Sequence, residues 1–220
     1  SGSHSTSGAF RSRAGRQLME PIRILSGRGV PLDRSDVDTD QIIPSEWLKR
    51  VERTGFGRGL FSEWRDDTSF ILNQPEFQGA RFLVAGPRFG TGSSREHAVW
   101  ALMDFGFTAI IAPSYGDIFR NNASKQGLVI VTLSVDECTN LSQILHSAPH
   151  IELTIDIERG LVEAPEANFT AAFNLDPVTR ERLLNGWDDI GLTLRYEEDI
   201  TTHERQLGRA PLDILRQHLA

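Results

Sequence analysis

The sequence is short of cysteine, of long apolar runs and of clustered positive charge, and each shortage removes a class of protein. One cysteine among 220 residues cannot form an internal disulfide or supply the three or four thiolates of an iron–sulfur cluster. A membrane-spanning helix requires about 18 consecutive apolar residues, and the sequence contains no such run. The 23 Lys and Arg residues, against 30 Asp and Glu, form no basic block for nucleic acid. An anionic ligand must therefore be held by a local site.

The two ends of the chain differ in composition from its middle. Residues 1–18 are rich in Ser, Gly and Arg and precede Met19, so we expect a leader outside the fold, either artificial or disordered. Residues 19–195 are expected to form one domain, and residues 196–220 a C-terminal helical extension. Because no basic segment leads into an apolar one, we expect no secretory signal and a cytoplasmic location.

Short apolar runs alternate with helical patterns in the middle of the chain. Strands are predicted over 82–85, 107–112 and 128–133, with helices over 93–105 and 114–126 between them. This β-α-β-α-β order is typical of a parallel sheet.

Other local signals extend the prediction on both sides. They predict a strand at 22–25, a loop over 33–44, a helix over 136–146, a hairpin of 151–157 with 161–163, and a helix from Pro177 to Asn185. The fold class is therefore α/β, with a parallel central sheet and a second, antiparallel sheet.

A glycine- and serine-rich segment, GTGSSREH (90–97), lies between a predicted strand and helix. It lacks the Gly-Lys-Ser/Thr of a phosphate-binding loop, the third glycine of a dinucleotide site and a G-x-S-x-G elbow. Ser93 and Glu96 fit an S-x-x-E capping box, which by itself needs no function. However, the glycines open the backbone of the first helical turn beside the guanidinium of Arg95. The segment therefore suits a carboxylate, and a serine acting as a base becomes conceivable.

Four segments in a fixed order identify a family. They are VDTDQIIP (37–44), GTGSSREHAVWAL (90–102), GDIFRNNASKQGL (116–128) and LLNGWDDIGLTL (183–194). Together they closely resemble the small subunits of 3-isopropylmalate dehydratases, in the aconitase superfamily, from about residue 20 to about residue 195. The resemblance implies a three-layer β/β/α swivelling domain. It also implies a hydro-lyase of leucine biosynthesis, which interconverts 2- and 3-isopropylmalate through isopropylmaleate and is active only with a large subunit that carries a [4Fe–4S] cluster.

The resemblance also implies roles for individual residues. Ser93 falls on the base that removes a proton from carbon, and Ser94 and Arg95 fall on groups that bind a substrate carboxylate. Asp40 falls in the active site, although an Asx turn before Pro44 explains it equally well. Asp38 and Thr39 are expected to shape the loop. Two carboxylates without a neighbouring His or Cys are too few for a metal site, so no metal is expected in this chain.

The segment from Leu48 to Gly55 matches the part of the family that recognises the substrate side chain. The candidates are Lys49, Arg50, Arg53 and Thr54, for which a solvated basic helix face is the alternative. We expect His97 to support packing or orient the loop, and Asn121 or Asn122 to hydrogen-bond to it.

Two other functions remain open at this point. One is a small subunit for a related hydroxy diacid, of the homoaconitate or citramalate type. The other is a non-catalytic module that only binds anions.

Overall fold

A seven-stranded mixed sheet lies at the centre of the computed structural model, which describes residues 20–49, 55–93 and 95–187. The strands are β1 (Ile24–Leu32), β2 (Phe82–Ala85), β3 (Ala109–Ala112), β4 (Val129–Thr132), β5 (Glu152–Asp156), β6 (Leu161–Ala164) and β7 (Phe169–Ala172). They are arranged in the order β4-β3-β2-β1-β5-β6-β7.

Helices cover both faces of this sheet. The α-helices are α1 (Thr39–Ile42), α2 (Ser62–Arg65), α3 (Glu96–Phe105), α4 (Asp117–Gln126), α5 (Val135–Ser147) and α6 (Pro177–Asn185). Short 3₁₀ helices span Ser45–Lys49, Phe56–Gly59, Ile71–Asn73, Pro75–Phe77 and Pro165–Ala167. Residues Ile22–Asn185 form one compact unit.

Strand β1 belongs to both halves of the sheet. Its first part, from Ile24 to Arg28, pairs antiparallel with β5, and its second part, from Gly29 to Leu32, pairs parallel with β2. Strands β2, β3 and β4 continue the parallel half, and β5, β6 and β7 the antiparallel half. The predicted combination of a parallel and an antiparallel sheet is confirmed, and the two are continuous through β1.

The parallel half lies between two separate apolar clusters. Strands β2 and β3 are buried at every position, as is typical of parallel strands covered on both faces. Neighbouring residues of β2 point to opposite faces: Leu83 packs in one cluster with Leu102 of α3, and Val84 in the other with Leu141 of α5 and Val162 of β6. The helices α3 and α4, the parallel strands, and the antiparallel strands with α5 therefore form the layers of the fold.

One local prediction is wrong, and one strand is missing from the predictions. The segment 33–44 is not a continuous loop, because Asp38 caps α1: the Gln41 backbone N–H donates to its carboxylate (2.8 Å), and the Gln41 side chain accepts from the Asp38 N–H (3.0 Å). Strand β7 was not predicted, because four residues with two alanines give little local signal and pairing with β6 forms it.

The ends of the chain stay predictions. The leader at 1–18 and the extension at 196–220 lie outside the described residues, so the predicted domain boundaries are not tested. Among the residues that are described, no helix combines the length and apolar character needed to cross a membrane.

Candidate active site

The two loops that carry the predicted site leave neighbouring strands at the same edge of the sheet. Strand β1 ends at Leu32 and leads to α1, while β2 ends at Ala85 and leads through the Gly90–Ser93 segment to α3. The carboxyl edge of parallel strands is where ligands bind in open α/β sheets. Because β1 and β2 are paired, the loops that follow them begin next to each other although they are far apart in the sequence.

Backbone hydrogen bonds join these loops into one structure. The Gly90 N–H donates to the Val37 carbonyl (2.7 Å), and the Thr39 N–H donates to the Thr91 carbonyl (2.9 Å). The buried hydroxyl of Thr39 also donates to the carbonyl of Ser93 (3.1 Å). Thr39 and Asp38 therefore use their side chains to shape the loop, as expected, and they fix the backbone on either side of the site.

Arg95 and Asp40 form an ion pair between the two loops. The side chain of Arg95 is 19% exposed, whereas that of Asp40 is 58% exposed. The Nη1 atom of Arg95 is buried and touches an Asp40 carboxylate oxygen, but within the described part of the chain it makes no aligned hydrogen bond. The structure thus brings together two of the predicted site residues, and it leaves the guanidinium only partly satisfied.

The predicted capping box at Ser93 is wrong. Helix α3 begins at Glu96, and Arg95 is its N-cap residue, with extended backbone (φ −129°, ψ 104°) and no side-chain cap. The cause is non-local, since Thr39 holds the Ser93 carbonyl and Gly92 turns the chain at φ 94°. The side chain of Ser93 is exposed, and its hydroxyl makes no hydrogen bond to any described residue. The first backbone N–H groups of α3 therefore have no side-chain cap, and with the positive end of the helix dipole they can bind an anion.

Gly90 allows α4 to pack directly under the site. Its φ of 72° lies in the left-handed region, and an added Cβ would lie 2.7 Å from the Cβ and Cδ1 atoms of Phe119 and closer still to Cγ. Phe119 is itself fixed edge-on against Phe89, with ring centroids 5.4 Å apart. A side chain at position 90 would separate the loop from α4.

His97 packs among aromatic rings. Its ring lies edge-on to Phe56 (5.3 Å between centroids) and to Trp100 (4.8 Å). This agrees with the expected packing role. Sequence reasoning did not predict that Phe56 and Trp100 pack against His97. The available signal was that both are aromatic, Phe56 directly after the 48–55 segment and Trp100 four residues after the first residue of α3.

The remaining candidates are only partly visible. Residues 50–54, with Arg50, Arg53 and Thr54, lie outside the described residues, as do Ser94 and the side chain of Lys49. Asn121 is exposed. The amide nitrogen of Asn122 is buried without a hydrogen-bond partner in the described ranges, so the expected bond to the loop is not observed there.

The described residues form neither a reactive cysteine site nor a metal centre. They contain no group of three or more His, Cys, Asp or Glu side chains that could hold a metal ion. Burial raises the pKa of the Cys138 thiol to about 12, and Glu137 adds to the effect. A thiol with this pKa is neither a nucleophile nor a ready metal ligand at neutral pH.

A solved structure has the same fold. 3-Isopropylmalate dehydratase from Methanocaldococcus jannaschii superposes with a TM-score of 0.60 at 28% sequence identity, covering 82% of this chain and 99% of that one.

Sequence comparison then defines the class. The Aconitase C-terminal domain family matches residues 19–136, which include both site loops, so the chain carries an aconitase-type C-terminal domain. The 3-isopropylmalate dehydratase small subunit of Parafrankia sp. (strain EAN1pec) is 58% identical over 186 residues, 84% of this chain and 94% of the relative. That of Rubrobacter xylanophilus is 54% identical over 191 residues, 87% and 97% of the two chains. The chain belongs to the family of 3-isopropylmalate dehydratase small subunits.

Proposed function

We propose that this chain, paired with a large subunit, interconverts 2-isopropylmalate and 3-isopropylmalate by dehydration and rehydration in leucine biosynthesis. The observation that carries the proposal is the assembly of Ser93, Arg95 and Asp40 at one edge of the sheet, from loops joined by a bond between residues 54 positions apart. The names of the relatives supply the substrate.

Arg95 holds a carboxylate of the substrate. A guanidinium presents its N–H groups as a planar fork that matches a carboxylate, and this one is largely buried and only partly satisfied. The uncapped N–H groups that open α3 add a favourable end for an anion, typically about 0.3–1 kcal/mol. Ser94, the residue before Arg95, contributes a further hydrogen bond to the same carboxylate.

Ser93 removes the proton from the carbon beside this carboxylate. Its hydroxyl is exposed, and its backbone is fixed through Thr39, so the oxygen is accessible at a defined position. A deprotonated serine is stabilised by charge-assisted hydrogen bonds, each contributing about 1.5–3 kcal/mol, and because the described residues give this hydroxyl none, we assign those donors to the assembled complex. The electron pair of the broken C–H bond forms the double bond of isopropylmaleate as hydroxide leaves the neighbouring carbon.

We assign no acid for the departing hydroxide to the described part of this site, because His97 packs against aromatic rings and Asp40 is paired with Arg95. Because this part also holds no metal-binding group, that task falls to the large subunit, to which we assign the [4Fe–4S] cluster. We also assign the complex to the cytoplasm, where a chain with one buried thiol needs no oxidising environment.

The segment with Lys49, Arg50, Arg53 and Thr54 recognises the side chain of the substrate. The support is the position where it ends: Phe56 follows directly and packs on His97, two residues from Arg95. The first residues after the segment therefore lie beside the start of α3.

Reconstitution with a large subunit tests the proposal. The complex should interconvert the two isopropylmalates, and each subunit alone should not. A complex that prefers homoaconitate or citramalate would show that the substrate is wrong, and a complex without hydro-lyase activity would favour a module that only binds anions.

The variant Ser93→Ala tests the role of the base. Because Ser93 caps no helix, we expect the free energy of unfolding to change by less than about 0.5 kcal/mol. Loss of a proton acceptor should lower kcat by roughly 10²–10⁴. Ser147→Ala, an exposed serine in the last turn of α5, is the matched control and should keep full activity. If both variants have the same kcat, Ser93 is not the base.

A further inference from the structure

We propose that the carboxylate of Asp40 occupies Arg95 as a stand-in for the substrate carboxylate, and that it must leave before substrate binds. This inference rests on the proposed function, since it concerns the same guanidinium. It makes Asp40 a residue that sets substrate affinity through Arg95, rather than one that grips the substrate.

The two partners of the ion pair differ in how easily they can move. Arg95 is 19% exposed and sits at the start of α3, so its guanidinium is largely out of water. A charge in such a place is costly without a partner. Asp40 is 58% exposed, on a helix of four residues, so its carboxylate can rotate into solvent. The arginine therefore stays in place, and the carboxylate beside it is the exchangeable member.

The pair is also poorly aligned. A carboxylate that faces a guanidinium squarely makes two parallel hydrogen bonds. Here the buried Nη1 touches Asp40 without an aligned hydrogen bond.

The backbone on either side of Asp40 is held in place. The Asp38 carboxylate accepts from the Gln41 N–H, and the Thr39 N–H donates to the Thr91 carbonyl. The Asp40 carboxylate is therefore tethered to α1, whereas a free carboxylate has no tether and can adopt the two-pronged geometry. Exchange replaces a contact without an aligned hydrogen bond by a two-pronged one.

Competition of this kind lowers the apparent affinity for substrate. When only a fraction of molecules has the guanidinium free, the apparent dissociation constant rises by the inverse of that fraction. Removing the competing charge while keeping the shape should then tighten binding.

The test is the variant Asp40→Asn in the reconstituted complex. We expect KM for 2-isopropylmalate to fall about fivefold, which corresponds to about 1 kcal/mol, while kcat stays within about twofold. Asp40→Glu keeps the negative charge, so its KM should not fall. Gel filtration should show that both variants assemble with the large subunit as the unaltered chain does.

Asp36→Asn is the matched control. Asp36 pairs with Arg88 and so links the same two loops through a different guanidinium, and its side chain is 53% exposed. This variant makes the same change of charge near the site, and its KM should not change.

Three results would overturn the inference. KM that is unchanged or raised in Asp40→Asn would mean that Asp40 does not compete, and an equal fall in Asp36→Asn would reduce the effect to long-range charge. Failure of Asp40→Asn to assemble would place Asp40 in the subunit interface. If the unaltered complex converts no isopropylmalate, the proposed function fails instead. This result differs from that of an active complex in which Asp40→Asn leaves KM unchanged, which would overturn only the inference about Asp40.

Discussion

Gly90→Ala is expected to be among the most damaging single changes in the site, for reasons that can be separated. An alanine in the left-handed region, at φ 72°, costs about 1–2 kcal/mol in backbone strain. The new Cβ would also lie 2.7 Å from two atoms of Phe119, which is 2% exposed and packed against Phe89, so it cannot move aside. Overpacking of a filled core costs about 1–3 kcal/mol. We expect the free energy of unfolding to fall by about 2–5 kcal/mol.

Gly79→Ala separates the two causes. Gly79 has a nearly identical φ of 74°, but the nearest atom to an added Cβ is the Arg28 Nη2, 3.8 Å away. This variant should lose about 1–2 kcal/mol from backbone strain alone. Urea unfolding followed by tryptophan fluorescence gives both values, and Phe119→Leu in the Gly90→Ala background should restore part of the difference. If Gly90→Ala costs no more than Gly79→Ala, the packing of α4 under the loop does not constrain position 90.

Two further predictions concern charged groups. Arg95→Lys should raise KM for isopropylmalate roughly tenfold or more in steady-state assays, because an ammonium cannot form the two-pronged contact, and an unchanged KM would remove Arg95 from the substrate site. Burial raises the pKa of the Asp33 carboxyl, but hydrogen bonds from Ser142 and His146 outweigh it and leave the pKa below the ordinary 3.8. Its contribution to stability is therefore complete above that value and disappears as the pH falls through the lower folded-state pKa. Asp33→Asn should lower the free energy of unfolding by less than about 1 kcal/mol at pH 7, because solvent screens a side chain that is 60% exposed, and by less still as the pH falls through the folded-state pKa. A cost in urea unfolding that does not decrease at acid pH would contradict this.

Sequence reasoning worked best where the signals are local. Helix α6 runs from Pro177 to Asn185 as predicted, because a proline at the first position and a following glycine mark its ends. Strand β2 also has the predicted bounds, since an apolar run of four residues is followed by Gly86 and Pro87. Such features depend on a few neighbouring residues.

The errors occur where distant residues decide. Ser93 and Glu96 have the right spacing for a capping box, yet the bond from Thr39 to the Ser93 carbonyl delays the start of α3 to Glu96. The same holds for the ion pair of Asp40 with Arg95. The resemblance placed both residues in the site, but only the pairing of β1 with β2 brings their side chains into contact.

The hydrogen bonds between the two loops have a consequence for when the proposed site forms during folding. The hydrogen bonds that join Val37 to Gly90 and Thr39 to Ser93 link parts of the chain about 54 positions apart, and such long-range pairing is intrinsically slow to form. A chain whose strands β1 and β2 have not yet paired therefore lacks the arrangement of the two loops described above. Only the folded chain can present the proposed site to a large subunit.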